Sequence, residues 1–439
     1  MSPARRPRET LEQLLRAALD AVAPARVLPR VLTADRRLRI GGERLAEGAR
    51  LRVLAAGKAA AAMAAFVEEI ASGSIAGGIV VTKDGHGLSA GSLPVLEAGH
   101  PVPDARSEAA GRAFLREAGA GSDTETLLVL LSGGASALLA TPLAGLTRDD
   151  IARTTALLLA SGAPIDELNC VRKHLCDVAG GRLARAARGR NVFLLAISDV
   201  PGDRLDVIGS GPCTADPSRY ADALEVLRSR GILASAPAAV RSALETGARG
   251  EREESPKPGD ASLARVRARV VASNADALAA ALAAAGGLGL RPVALGAPLV
   301  GEASRAGRRL AALGRSLDCD RPTLVAAGGE TTVTLRGMGR GGRNQELALA
   351  AALELEGVRG VSLLAAGTDG TDGPTDAAGA FADGTSVARG RATGRDARAD
   401  LERNDSNGFF AAEGGLVMTG PTQTNVMDVA LLLREPGVS

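Results

Sequence analysis

The sequence predicts an α/β fold of two Rossmann-like domains with mostly parallel sheets. Three observations carry this. The chain has 439 residues, more than one ordinary domain holds. Short apolar runs alternate with longer helix-forming ones along its length, the βα pattern of a doubly wound sheet. The short runs are continuously apolar rather than alternating, as in parallel strands covered on both faces.

The elements follow in order. Thr10 to Val27 reads as an amphipathic helix. RLRVLAAG is a strand, followed by helical KAAAAMAAFVEEIA. GGIVVTKDG is a strand and ARSEAAGRAFLREAG a helix. LLVLLSGG is a strand, RDDIARTTALLLASG a helix and NVFLLAISDV a strand. The stretch Glu245 to Ala264 is charged, carries Pro and Gly and has no periodicity, so it reads as an exposed boundary loop. It divides a domain over residues 1–250 from one over 260–439. RVVASN opens the second set as a strand, ADALAAALAAAGG is a helix, PVALG a strand and EASRAGRRLAALGRSL a helix. TLVAAGGETTVTL, VSLLAAGTDG and NVMDVALLL complete it. No short period repeats, which excludes a solenoid.

Composition narrows the function classes. Hydrophobic residues make up 46% of the chain, enough for a large core, but aromatics only 2%, with no Trp and one Tyr. Base stacking has little to work with. The 52 basic and 50 acidic residues leave a formal charge of +2, which gives no pull toward nucleic acid or membranes. Four scattered cysteines and three histidines argue against zinc and suit a reducing compartment. The N-terminal MSPARRPRETLEQLL lacks the apolar stretch of a signal peptide, and the Ala-rich runs are too short to span a bilayer. A cytoplasmic protein acting on small molecules, with no nucleic-acid or membrane partner, is expected.

In open α/β sheets ligands gather at the carboxyl ends of strands. Six strands here end in small, hydroxyl or charged residues: Gly57-Lys58, Lys83-Asp84-Gly85-His86, Ser132-Gly133-Gly134-Ala135-Ser136, Ser198-Asp199 with Pro201-Gly202-Asp203, Gly328-Gly329-Glu330, and Gly367-Thr368-Asp369 with Asp372 and Asp376. In the SGGAS loop, glycines let backbone N–H groups approach an anion, and the Ser132 and Ser136 hydroxyls can donate to it. A plain βα turn is the other reading. The loop is no serine-hydrolase elbow, because GxSxG needs Gly where Leu138 stands. Gly57-Lys58 is no Walker A loop, because Arg52 and Ala59 occupy positions that need Gly and Ser or Thr. Lys58 still sits where a lysine meets a phosphate or carboxylate. Asp199 suits proton acceptance or cation binding, and Glu330, Asp369 and Asp372 suit a hard cation such as magnesium. Each of these carboxylates is also good turn chemistry.

Gly337-x-Gly339-x-x-Gly342, between a strand and a helix, matches a dinucleotide fingerprint. No acidic residue closes the next strand at the usual spacing of roughly 20 residues, and Arg336, Arg340 and Arg343 are unusual in a tight pyrophosphate turn. His86 and His100 lie in turn-rich loops. Asn169, Arg172 and Lys173 line either an anionic substrate or a helix surface.

The motifs AAGKAA, VTKDGH, EAGHPVPD, LLSGGASALL, LNCVRKHLCDVAGGRLA, SDVPGD, IGSGPC, GGETTVT, GRGGRNQELAL, GTDGTDGPTDAAGA and GPTQTNVMD occur in this order. Together they resemble the glycerate 2-kinase family, whose C-terminal half is the MOFRL domain, over nearly the whole chain. The resemblance implies ATP-dependent phosphorylation of D-glycerate at its 2-hydroxyl with a divalent metal, in a two-domain α/β protein whose active site lies between the domains. On the matched motifs it places candidate catalytic roles at Lys58, Asp199 and Arg343, and the SGG loop at Ser132, Gly133 and Gly134.

The residues then take these expected roles. Asp199 accepts or orients the C2 hydroxyl proton. Lys58 and Arg343 neutralise the glycerate carboxylate or the transferring phosphoryl group. Ser132 through Ser136 cradle an anion, with Arg172 and Lys173 near the substrate, and Glu330, Asp369 or Asp372 hold magnesium. The rival is an NAD(P)H-dependent hydroxypyruvate reductase, a second label of the same family, with Gly337 on a pyrophosphate. Oligomeric state stays open, a homodimer being allowed.

Overall fold

A computed structural model describes residues 7–34 and 37–437. The first six residues of the N-terminal stretch read above lie outside the described residues. The chain folds into two compact units. One is Val27–Val271; the other joins the N-terminal segment up to Arg26 to the chain from Ala272 onward.

The Val27–Val271 unit opens with a small antiparallel meander of β1 (Leu32–Ala34), β2 (Leu38–Ile40) and β3 (Glu43–Arg44). Its main sheet contains β4 (Leu51–Ala56), β5 (Ile75–Lys83), β6 (Val95–Ala98), β7 (Thr126–Leu131), β8 (Val192–Ile197) and β9 (Val266–Ala272), in the spatial order β6-β5-β4-β7-β8-β9. β4 pairs in parallel with β5 and β7, as do β5 with β6 and β7 with β8. Every residue of β7 and β8 is buried, which explains why the sequence shows unbroken apolar runs. Helices Ala60–Ala71 and Ala105–Gly119 pack on this sheet. The second begins with a reciprocal capping box between Asp104 and Ser107 and buries Phe114 completely. A helical cluster, Arg148–Ala160, Ile165–Lys173, Tyr220–Ser229 and Ala238–Ala248, closes around Leu158, Val171, Tyr220, Leu227 and Leu244.

Two expectations change here. RVVASN does not open the second set: as β9 it edges the first sheet beside β8, and Val192 N–H donates to the Arg265 carbonyl at 3.0 Å. Residues 245–264, expected as a boundary loop, lie inside the Val27–Val271 unit. Glu254 accepts from Tyr220 N–H at 2.9 Å and meets Lys257 at 3.0 Å and His174 at 3.3 Å. Tyr220 and His174, buried partners elsewhere in the chain and invisible to local composition, tie the stretch down.

The other unit carries β10 (Arg291–Ala294), β11 (Leu299–Glu302), β12 (Thr323–Thr332), β13 (Val361–Gly367), β14 (Gly379–Asp383), β15 (Leu416–Val417) and β16 (Asp428–Arg434). Its sheet runs β10-β12-β16-β13-β14-β15, with β11 also on β12. β10 and β11 are parallel to β12, but β16 lies antiparallel between β12 and β13. This sheet is mixed. Continuous apolarity reports burial on both faces and is silent about strand direction, so β12, β13 and β16 read alike in sequence. The N-terminal helix Pro7–Ala21 buries Leu11, Leu14 and Leu15 and packs against helix Asn274–Gly287.

Candidate active site

The spatial order of the first sheet, numbered within the sheet, is 3-2-1-4-5-6, and its topological switch point lies between β4 and β7. Gly57-Lys58 follows β4 and Ser132-Gly133-Gly134 follows β7, so the two expected loops meet there. Lys58 N–H donates to the Gly133 carbonyl at 3.0 Å, and Ser132 Oγ accepts from Ala59 N–H at 2.9 Å. Gly57 has φ +123°, and a Cβ there would run into the Ser132 backbone. This junction therefore requires glycine. Gly134, at φ +90°, starts the short helix Ala135–Leu138, and a Cβ on it would stand 3.0 Å from the His100 ring and 3.7 Å from Lys58 Cγ. His86 is buried, with Nδ1 3.4 Å from the Lys58 carbonyl. Asp199 follows β8, the next strand over. Lys83, Lys58, the SGG loop and Asp199 thus succeed one another along one sheet edge.

The Ser132 hydroxyl is wholly buried and caps Ala59, so its role is to build the loop. Ser136 Oγ lies 2.9 Å from Ser210 Oγ. Of the two basic residues expected near the substrate, Lys173 is buried between Asp206 and Asp216 at 3.7 and 3.6 Å, and its charge is answered from within the fold. Arg172 stands beside it, half-buried.

In the other unit, β16 begins at Asp428, which is in register with Gly329 of β12 and Gly367 of β13. The ends of three strands meet there. Arg343 opens helix Arg343–Leu355 and grips Asp428 with two bonds, Nε to Oδ2 at 2.6 Å and Nη2 to Oδ1 at 2.9 Å, while Nη1 pairs with Glu330. Burial pushes the Asp428 carboxyl up to about 6 against the pull of Arg343. Burial works against the Arg343 charge too, but Asp428 and then Glu330 hold it protonated above the usual guanidinium value. Three of its five N–H groups are used, which leaves one on each Nη for a ligand. The sequence reading did not single out Asp428, although an aspartate at the head of a wholly apolar strand is the signal that marks it. His100 likewise gains weight only from its place against Gly134.

Asp372 serves a different purpose from the expected metal ligand. Its carboxylate accepts from Asn344 N–H at 3.0 Å and Gln345 N–H at 2.8 Å, capping the Arg343 helix from outside. Asp369 accepts from Thr371 N–H at 3.0 Å in a tight turn, and Glu330 faces Arg343. Among the described residues no group of three His, Cys, Asp or Glu side chains is placed to hold a metal ion. These carboxylates do not make a protein-built cage, and the structure ascribes no step to one.

The Gly337 loop is also accounted for. Arg336 and Gly337 N–H groups donate to Asn404 Oδ1 at 2.6 and 3.0 Å, Gly339 N–H to the Arg403 carbonyl at 3.0 Å, and Arg340 N–H to Asp405 at 3.2 Å. A Cβ on Gly339 would meet Asp405 Cβ at 2.5 Å. The glycines let this loop lie on the 403–405 segment, and these four backbone donors are spent there rather than facing a pyrophosphate.

The chain matches a domain of unknown function, DUF4147, over residues 10–245 and the MOFRL family over residues 323–428. It is 41% identical over 390 residues to a protein of Thermotoga maritima named D-glycerate 2-kinase, covering 87% of this chain and 90% of that one. The crystal structure of a glycerate kinase from Thermotoga maritima superposes with a TM-score of 0.82 at 38% identity, covering 97% of this chain and 99% of that one.

The chain belongs to the glycerate 2-kinase family.

A relative from Agrobacterium vitis, 44% identical over 389 residues and covering 87% of this chain and 86% of that one, carries the provisional name hydroxypyruvate reductase. The first half of the Gly337 loop gives that name little support, because the N–H groups of Arg336, Gly337, Gly339 and Arg340 are committed to the 403–405 segment. The chain is a kinase of this family, built from two α/β units, and no described helix is long and apolar enough to cross a membrane.

Proposed function

We propose that the chain transfers the terminal phosphoryl group of ATP to the 2-hydroxyl of D-glycerate, giving 2-phosphoglycerate and ADP. The observation that carries this reading is the meeting of Gly57-Lys58 with Ser132-Gly133-Gly134 at the sheet's switch point. Phosphoryl transfer asks chiefly for positioning and for cations around the transferring oxygens. Lys58 supplies a cation on a loop fixed by the Lys58–Gly133 and Ala59–Ser132 bonds. Asp199, at the end of a neighbouring strand, accepts or orients the proton of the attacking hydroxyl. Arg343, braced by Asp428 and Glu330, offers its two remaining N–H groups to a carboxylate or phosphoryl oxygen. Magnesium, where bound, would be held mainly by the nucleotide phosphates with one or two carboxylates, and would neutralise charge on the transferring oxygens.

Phosphorus NMR of the protein with D-glycerate, ATP and magnesium tests this. A 2-phosphoglycerate resonance growing as ATP falls supports kinase and regiochemistry together. A parallel absorbance trace with hydroxypyruvate and NADH or NADPH should stay flat. Silent phosphorus with falling absorbance would overturn the reading.

A further inference from the structure

Helix Ile165–Lys173 carries a polar face that neither the fold nor the roles above use up. Its apolar side, Leu168 and Val171, faces the helical cluster. On the other side Asn169 and Arg172, one turn apart, are neighbours. Asn169 is 4% exposed. Its Oδ1 accepts from Ser210 Oγ at 3.4 Å, and Ser210 Oγ lies 2.9 Å from Ser136 Oγ in the SGGAS loop. The Asn169 Nδ2 is buried with no hydrogen-bond partner. Exchanging the amide's oxygen and nitrogen would only move the deficit to the other atom. A buried unsatisfied amide costs about 1–3 kcal/mol, and folded chains rarely keep one without cause. Ser210 holds φ +60°, the left-handed region. Arg172 is half-buried, and no carboxylate of the described residues lies within 4 Å of its guanidinium; burial lowers its pKa with only Cys176 acting the other way. Neighbouring Lys173 already satisfies Asp206 and Asp216.

We propose that Asn169, Arg172, Ser210 and Ser136 form the subsite for the carboxylate of the hydroxy-acid substrate. The inference rests on the kinase reading and deepens it. The ligand charge follows from the residues. One guanidinium without an acid partner calls for a single negative charge, and an amide N–H beside hydroxyls matches a small planar acceptor. A triphosphate would ask for more cations than this face has. The relay from Asn169 through Ser210 to Ser136 links the acid's anchor to the SGGAS loop at the switch point, so the anchor and that loop are set by the same hydrogen bonds.

Steady-state kinetics on the full chain decide it. Arg172→Met should raise KM for D-glycerate by about 10- to 100-fold, the loss of one charge-assisted contact, and leave KM for ATP within about twofold. With glyceramide, which lacks the charge, the same substitution should change little. Asn169→Asp keeps the shape and sets like charge against the acid, so it should raise KM for D-glycerate far more than KM for ATP, with calorimetry reading separately what the buried carboxylate costs in stability. This variant decides if Arg172→Met fails to fold. An unchanged KM for D-glycerate in both, an equal loss on ATP, or an equal loss with glyceramide would overturn the subsite. An unsubstituted chain that leaves D-glycerate untouched would instead overturn the kinase reading.

Discussion

Asp199 and Lys58 follow β8 and β4, two strands apart in a parallel sheet, on the order of 10 Å. That separation suits one group acting on the hydroxyl and the other on the phosphoryl. Asp199→Asn should lower kcat by about 10²- to 10⁴-fold with KM for ATP nearly unchanged, read by a coupled ADP assay; unaltered turnover would remove Asp199 from the reaction. In the other unit Asp428 braces Arg343, so on the role proposed for Arg343 it acts through that residue. Its carboxyl, pushed up to about 6 by burial, is ionised at neutral pH and takes a proton as pH drops through about 6. Arg343 then loses its two-bond brace. Turnover at saturating ATP, magnesium and D-glycerate should therefore fall on the acid side with a midpoint near 6. In Asp428→Asn that limb should vanish, with low turnover throughout. A limb that persists in the variant belongs to another group.

At the scale of elements, the sequence exposed most strands and few of their directions. β4, β7 and β8 announce themselves as buried apolar runs, and the loops after them were legible because Gly, Lys, Ser and Asp interrupt apolarity abruptly. The antiparallel insertion of β16 was not legible, since strand direction is set by the connections and not by the run. Gly337-x-Gly339-x-x-Gly342 shows the converse hazard: a glycine spacing that reads as a ligand loop is explained by close packing on residues 403–405. Gly339→Ala tests this. Its Cβ would stand 2.5 Å from Asp405 Cβ and 2.6 Å from the Arg403 carbonyl oxygen, an overpacking that costs about 1–3 kcal/mol and roughly 2–10 °C of melting temperature. A dinucleotide loop would instead lose NADH binding and keep its melting temperature, as read by fluorescence titration beside calorimetry.

At the scale of the whole molecule, local composition placed a boundary at residues 245–264, whereas the compact units part after Arg26 and again after Val271. Charged, Pro-bearing sequence looks solvated unless its partners are known, and here the partners of Glu254 are Tyr220, Lys257 and His174. Burial works to raise the Glu254 pKa, but the hydrogen bonds from His174, Tyr220 N–H and Lys257 outweigh it and hold the carboxyl down to about 2 from 4.5. The sign follows from proton linkage. Between those values the unfolded chain binds more protons than the folded one, so stability rises with pH across that window. The contribution of Glu254 is complete above about 4.5 and is lost as pH falls toward about 2. Glu254→Gln should lower the melting temperature at pH 7 by roughly 2–6 °C, as expected for one charged hydrogen-bonding group in a domain of this size. The gap to the unsubstituted chain should narrow as pH falls below about 4.5 and close as it nears about 2, where the native carboxylate loses its advantage over the amide. Calorimetry across that pH range would show it. A variant that melts with the unsubstituted chain at every pH would return residues 245–264 to the status of a solvated linker.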